Sequence, residues 1–183
     1  MERKEAFELI KNKIQNQNLI KHSLSVEACM KGLAIYFKEA VEKWAIAGLL
    51  HDIDYEETKD DPNLHSIKGA EILEKLGLEK EISEAVKTHN EAHGIMPESK
   101  LAKALFCVDP LTGLIVAATL VLPTKKISDL TIENILNRFK EKSFARGAKR
   151  DVILKCSEIG LSLEEFIKIG LESMKSINIQ LGL

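Results

Sequence analysis

His51 and Asp52 stand side by side near the end of AIAGLLHDIDYE, residues 45–56, where an otherwise apolar helical run asks for another leucine. The chain has five histidines, and four of them fall in register with apolar neighbours at helical spacing. His22 aligns with Leu19, Val26 and Cys29, His51 with Trp44, Ala47 and Gly48, His65 with Gly69 and Ile72, and His89 with Ile82, Ala85 and Val86. Asp109 lies on the stripe of Ala102, Leu105 and Phe106, where an isolated ionised carboxylate is costly. One inward histidine is more often a hydrogen-bonded core residue than a ligand. Four histidines and two carboxylates drawn from five helices are better satisfied together by a shared cation. Imidazole with carboxylate suits a divalent transition ion, iron, manganese, nickel or zinc, rather than calcium or a thiolate-seeking metal. Six candidate ligands exceed what one ion with open positions needs, and they suit two ions sharing a carboxylate and leaving room for water.

The order His22, then His51-Asp52, then His89 and Asp109, all set on helices, resembles the HD-domain superfamily of metal-dependent phosphohydrolases over roughly the first two thirds of the chain. The resemblance implies that His22, His51, Asp52 and Asp109 hold one metal. His65 and His89 match the extra histidines of binuclear members, which implies a second ion there, with Asp52 bridging the two and His51-Asp52 at the catalytic centre. The residues after the doublet, Ile53-Asp54-Tyr55, lack the glycine-lysine pair of the cyclic-dinucleotide branch, and Asn90 follows His89 where some relatives carry a second histidine. The implied activity is therefore hydrolysis of a phosphomonoester or phosphodiester, a nucleotide or another small phosphate ester, by metal-activated water. The same six ligands also match the di-iron oxygenase branch that contains myo-inositol oxygenase, and a metal-containing sensor without turnover is a third reading.

A phosphate ester also needs cations for its non-bridging oxygens. Two basic clusters are available, Lys125-Lys126 and KSFARGAKR with Lys142, Arg146, Lys149 and Arg150 beside a glycine turn and a helix start. Arg146 is the preferred substrate contact, with Lys149 and Arg150 beside it, and Asn90 and His93 are expected at the pocket rim. Asp54, Tyr55 and Glu56 follow the doublet and read equally as lining its mouth or as ordinary loop residues. Water at the metal or His93 is the candidate proton donor to the leaving group.

The elements that must position these groups are helical. Stripes begin at Ala6, Ile10 and Ile14 and resume at Leu19 after a polar Asn16–Asn18 break. Further helices are expected from Val41 to His51, from Pro62 as first helical position to Gly77, and from Glu79 to Asn90. Leu101–Leu122 continues the pattern with Pro110 kinking or dividing it, followed by helices from about Thr131, Lys149 and Leu163. The expected fold is all-α, one compact domain over residues 1–183 of about eight or nine helices, with a metal-site core near 18–122 and C-terminal helices 131–183 packed on it. Composition agrees, with 45% hydrophobic and 30% charged residues, 4 prolines and few aromatics. A net charge of −2 with interspersed signs argues against long nucleic acid or anionic membrane as partner. Leu111–Leu122 is read as too short to span a bilayer. Cys29, Cys107 and Cys156 read as buried thiols of a reducing compartment, so the expectation is a cytoplasmic monomer or homodimer.

Overall fold

The computed structural model describes residues 1–183, and its regular structure is entirely helical. The helices are α1 (Arg3–Lys13), α2 (Gln17–Phe37), α3 (Val41–Leu50), α4 (Tyr55–Thr58), α5 (Ile67–Lys75), α6 (Lys80–Thr88), α7 (Lys100–Leu120), α8 (Ile132–Lys140), α9 (Arg150–Leu154), α10 (Leu163–Lys175) and α11 (Asn178–Leu181). Eight have nine residues or more and three have four or five, so the all-α expectation is met and the extra helices are single turns. Short 3-10 turns cover Glu91–His93, Ile127–Asp129 and Lys155–Ile159. One cluster of 45 buried apolar residues runs from Ala6 to Leu181, so the C-terminal helices share their core with the segment that carries the histidines.

Capping chemistry sets the starts. The Asn16 side chain accepts from Asn18 N at α2, Ser99 from Ala102 N at α7, and Thr131 and Ser162 form reciprocal boxes with Asn134 and Glu165. α2 packs on α3, α7 and α10, and α6 lies against both α5 and α7. The α2–α3 contact is unusually close at Gly48, where a Cβ would meet the Glu27 backbone at 3.0 Å. That approach brings α3 against the middle of α2 at Glu27, between one and two turns from His22. Glu27, buried at the same crossing, is neutralised by Arg3 from α1 at 2.6 Å and Lys31 at 2.9 Å.

Two boundaries differ from expectation. Pro62 does not open a helix: Asp61 spends its side chain on Asn63 N at 3.0 Å, building a turn, and α5 begins only at Ile67. His65 therefore sits in the turn before α5 and not on its apolar stripe. Pro110 does not divide α7, which runs unbroken for 21 residues because buried side chains on both sides, Leu105 and Phe106 before it and Leu111, Leu114 and Ile115 after it, tie the helix into the core. α7 is consequently long and apolar enough to cross a membrane by length and composition, unlike the shorter stretch read from sequence, and 67% of its most apolar window is buried inside the fold.

Arg150 corrects another expectation. Its guanidinium donates to the carbonyl oxygens of Arg138 (3.2 Å), Phe139 (3.3 Å), Phe144 (2.7 Å), Ala145 (2.8 Å) and Ala148 (2.6 Å), closing the end of α8 and the turn that follows. A guanidinium committed to backbone is a fold element and not a substrate contact. Arg150→Ala is expected to cost about 1.5–3 kcal/mol in urea unfolding, and Arg150→Lys to recover little of it because an ammonium lacks the planar fork.

Candidate metal centre

Three of the four inward histidines occupy ends or turns, and that position orients them. His51 is the C-cap of α3 and its Nδ1 donates to Gly48 O at 2.8 Å; His89 is the C-cap of α6 and its Nδ1 donates to Val86 O at 2.6 Å. Helix C-termini leave carbonyls without partners, and here each imidazole fills one while fixing its own tautomer. His22, within α2, is held by Thr112 Oγ1 at 3.2 Å, and the Thr112 hydroxyl donates to Asp109 O at 2.9 Å. His65 Nδ1 faces Asp54 Oδ1 at 3.2 Å. In all four cases Nδ1 is turned outward and Nε2 is turned to one point.

That point is the Asp52 carboxylate. Its Oδ2 lies 3.3 Å from His51 Nε2 and 3.7 Å from His22 Nε2; its Oδ1 lies 3.3 Å from His89 Nε2 and 3.4 Å from His65 Nε2. Asp109 Oδ1 joins the first pair, 2.9 Å from His22 Nε2 and 3.9 Å from His51 Nε2. Two groups thus share Asp52, one with His22 and His51 and the other with His65 and His89, and within each the ligand atoms lie within 4.8 Å of one another. His22 and His51 bring their Nε2 atoms to 3.2 Å, a juxtaposition that a cation between them, or a proton on one ring, stabilises. The negative ends of α3 and α6 favour the same cation. The donor set therefore fits divalent transition metal.

Protons take that cation's place when no metal is bound. Burial opposes charge on His51, but Asp52 beside it outweighs burial and raises its pKa to about 9. His65 is likewise opposed by burial and raised to about 9 by Asp52 and Asp54. Burial works to raise the Asp52 carboxyl, yet His51, His65 and His89 hold it well below the usual carboxylate range; against the same burial, His22 lowers Asp109.

The remaining expected residues divide. Lys149 and Asn90 line a cleft of about 300 Å³ above the metal donors, together with His22, His65, His89 and Asp109. Lys149 is paired there with Glu91. Asn90 spends its amide on Pro62 O at 2.9 Å and His65 O at 3.2 Å, and His93 Nε2 donates to His65 O at 2.6 Å. Both therefore brace the His65 turn, so the structure gives them a positioning place where a substrate-contacting one was expected. Arg146 is exposed and lies outside the cleft wall, which Gly147, Ala148 and Lys149 form instead. Arg146 is thus corrected along with Arg150.

Sequence reading missed the positioning role of two residues, Thr112 and Asp54, the latter having been read only as a candidate for the mouth of the site. Asp54 is fully buried behind His65 and accepts Ser66 N at 2.8 Å, and Gly69 is required beside it because a Cβ there would meet Asp54 Oδ1 at 3.0 Å. A second aspartate two residues after the doublet, in a segment otherwise apolar, was the available signal. Thr112, three residues after Asp109, left a weaker one.

A helical protein that gathers four imidazoles and two carboxylates about one buried aspartate belongs among the helical metal-binding proteins. The HD domain family model matches residues 19–114, just over half of the chain, and the chain belongs to that family, the metal-dependent phosphohydrolase family that the residues resemble. Relatives include ribonuclease Y of Lawsonia intracellularis, 33% identical over 74% of this chain and 26% of the relative, and ribonuclease Y of Nitratidesulfovibrio vulgaris, 32% identical over 75% and 27%. An uncharacterized protein of Methanocaldococcus jannaschii is 30% identical over 78% of this chain and 86% of its own. The chain spans about a quarter of the length of the ribonuclease Y relatives it matches.

Two outcomes follow from the proton inventory. With His51 and His65 protonated up to about pH 9, metal uptake at pH 7 is expected to release protons, an effect that fades above pH 9 and is measurable by calorimetry in buffers of different ionisation enthalpy. Because both pKa values lie above the ordinary 6.5, their stabilisation of metal-free protein is complete below pH 6.5 and lost as pH rises through 9, so its melting temperature falls across that window. Asp54→Asn is expected to weaken metal affinity about 10- to 100-fold, in line with other residues that orient a ligating histidine.

Proposed function

We propose that this protein hydrolyses small phosphate esters, nucleotides among them, at two divalent transition-metal ions bridged by Asp52. The observation that carries the reading is the division of Asp52, one oxygen toward His22 and His51 and the other toward His65 and His89. His22, His51, Asp52 and Asp109 would hold one ion, and Asp52, His65 and His89 the other. Bound there, the ions would supply an activated water nucleophile and draw charge from the phosphate oxygens.

The protein's own groups position. Asp109 and His22 are the cluster members most open to the cleft, so the phosphate is received on their side. Lys149 offers an ammonium from the wall as Glu91 releases it. His93 is committed to the His65 carbonyl, which leaves cleft water as the proton source for the departing oxygen. A cleft of about 300 Å³ suits a small organic phosphate, and a net charge of −2 supplies no basic track for a long strand. The printed name of the ribonuclease Y relatives favours an RNA strand as a second reading. Buried free thiols at Cys29, Cys107 and Cys156 suit the reducing cytoplasm we assign to the protein.

The test is metal analysis coupled to a substrate panel of monoesters, diesters and an oligoribonucleotide, run anaerobically with manganese and, in parallel, aerobically with iron. Turnover of small esters without oxygen, lowered about 100-fold or more by Asp52→Asn, is the expected result. Preferred cleavage of the oligoribonucleotide would move the assignment to RNA. Oxygen consumption without phosphate release would instead establish the di-iron oxygenase reading, and full metal occupancy without any turnover a sensor.

A further inference from the structure

A second cleft, of about 480 Å³, adjoins the metal cleft, and the two share His22 and Gly113. Its floor is the outer stripe of α7, with Val116 and Ala117 half-buried and Leu120 exposed, and its facing wall on α2 carries Asn18, Lys21 and Ser25. From Asp109 to Leu120 that stripe extends about 16 Å along the helix, starting at a metal donor.

Gly113 marks the junction. Glycine inside a helix costs about 1 kcal/mol relative to alanine. Elsewhere in this fold close packing explains it, but a Cβ on Gly113 would meet nothing within 4 Å. The missing side chain serves no packing purpose, and it lies where the walls of the two clefts meet.

We infer that the substrate is a phosphodiester whose phosphorus lies over His22 and whose two ester arms occupy the two clefts. The inference rests on the phosphohydrolase reading and narrows it to diesters with an organic group on each side. One arm lies against Ala148 and Val152 in the metal cleft. The other carries a ring system that covers the apolar α7 stripe and presents hydrogen-bonding edges to Asn18 and Lys21. Hydrolysis then forms one P–O bond to water and breaks the P–O bond to one arm. The products are an alcohol, which takes a proton from water, and a monoester.

The experiment is methyl NMR on the zinc-loaded full chain, with orthophosphate and a slowly hydrolysed phosphorothioate-linked dinucleoside as probes. The dinucleoside is expected to shift the Val152 methyls together with those of Val116 and Leu120, while orthophosphate moves neither far set. Gly113→Leu, a better helix former placed in open space, is expected to weaken dinucleoside binding about tenfold or more. Leu120→Ser, at an exposed position, is expected to weaken it in the same direction. Dinucleoside shifts confined to the Val152 side, or unchanged affinity in both variants, would overturn the inference while leaving the phosphohydrolase reading standing. Failure of the loaded protein to bind orthophosphate would overturn that reading and the inference with it.

Discussion

The Asp52 carboxylate is the constraint on which the structure depends. A negative charge this deeply buried is stable only if it is met on all sides by matched donors, since the desolvation cost of an unpaired carboxylate exceeds what ordinary packing returns. The imidazoles come from α2, from the end of α3, from the turn before α5 and from the end of α6, while Asp109 on α7 adds a second carboxylate that pairs with His22. Removing any of these elements would leave part of the cluster uncompensated. The bundle is therefore arranged as much around a polar point as around its 45-residue apolar cluster.

Geometry at that point is fixed by bonds that are themselves backbone requirements. A helix must end somewhere, and its last carbonyls must find donors. At α3 and α6 the donor is the imidazole of the capping residue, so helix termination and ligand orientation are one interaction. This places the two rings rigidly, as a precise site requires, and sets two negative helix ends against the place where a cation belongs.

Much of this was legible from sequence because the signal was periodic. His22, His51, His89 and Asp109 stood out as polar residues on apolar stripes, and the 3.6-residue period that exposed them also gave most helices their limits. His65 was assigned to the right cluster on the wrong element, because the turn that carries it is held by Asp54 and Asp61, side chains acting across loops where no period exists. The basic run 142–150 was misjudged for a related reason. Its composition would suit an anion site, but whether a guanidinium faces a ligand or a ring of carbonyls depends on how the chain closes on itself, and local sequence does not encode that. Lys149 beside Gly147 reached the cleft; Arg146 and Arg150 did not.

Ser66 shows where local preference gives way. It is fully buried at φ +71° and ψ −35°, a sparsely populated positive-φ conformation that costs a non-glycine residue about 1–3 kcal/mol. Glycine would remove that cost, yet the serine is held by three bonds: its N–H to Asp54, its hydroxyl to Lys87 O at 2.9 Å, and His93 donating to that hydroxyl at 3.0 Å. The reversal lets His65 face Asp52 while the next residue starts α5 in another direction. A relaxed backbone would carry His65 along the helix stripe that its sequence spacing suggests. Strain at Ser66, offset by those bonds, is thus the physical reason that His65 reaches the cluster at all, and so the reason that Asp52 has imidazoles at both oxygens and not at one.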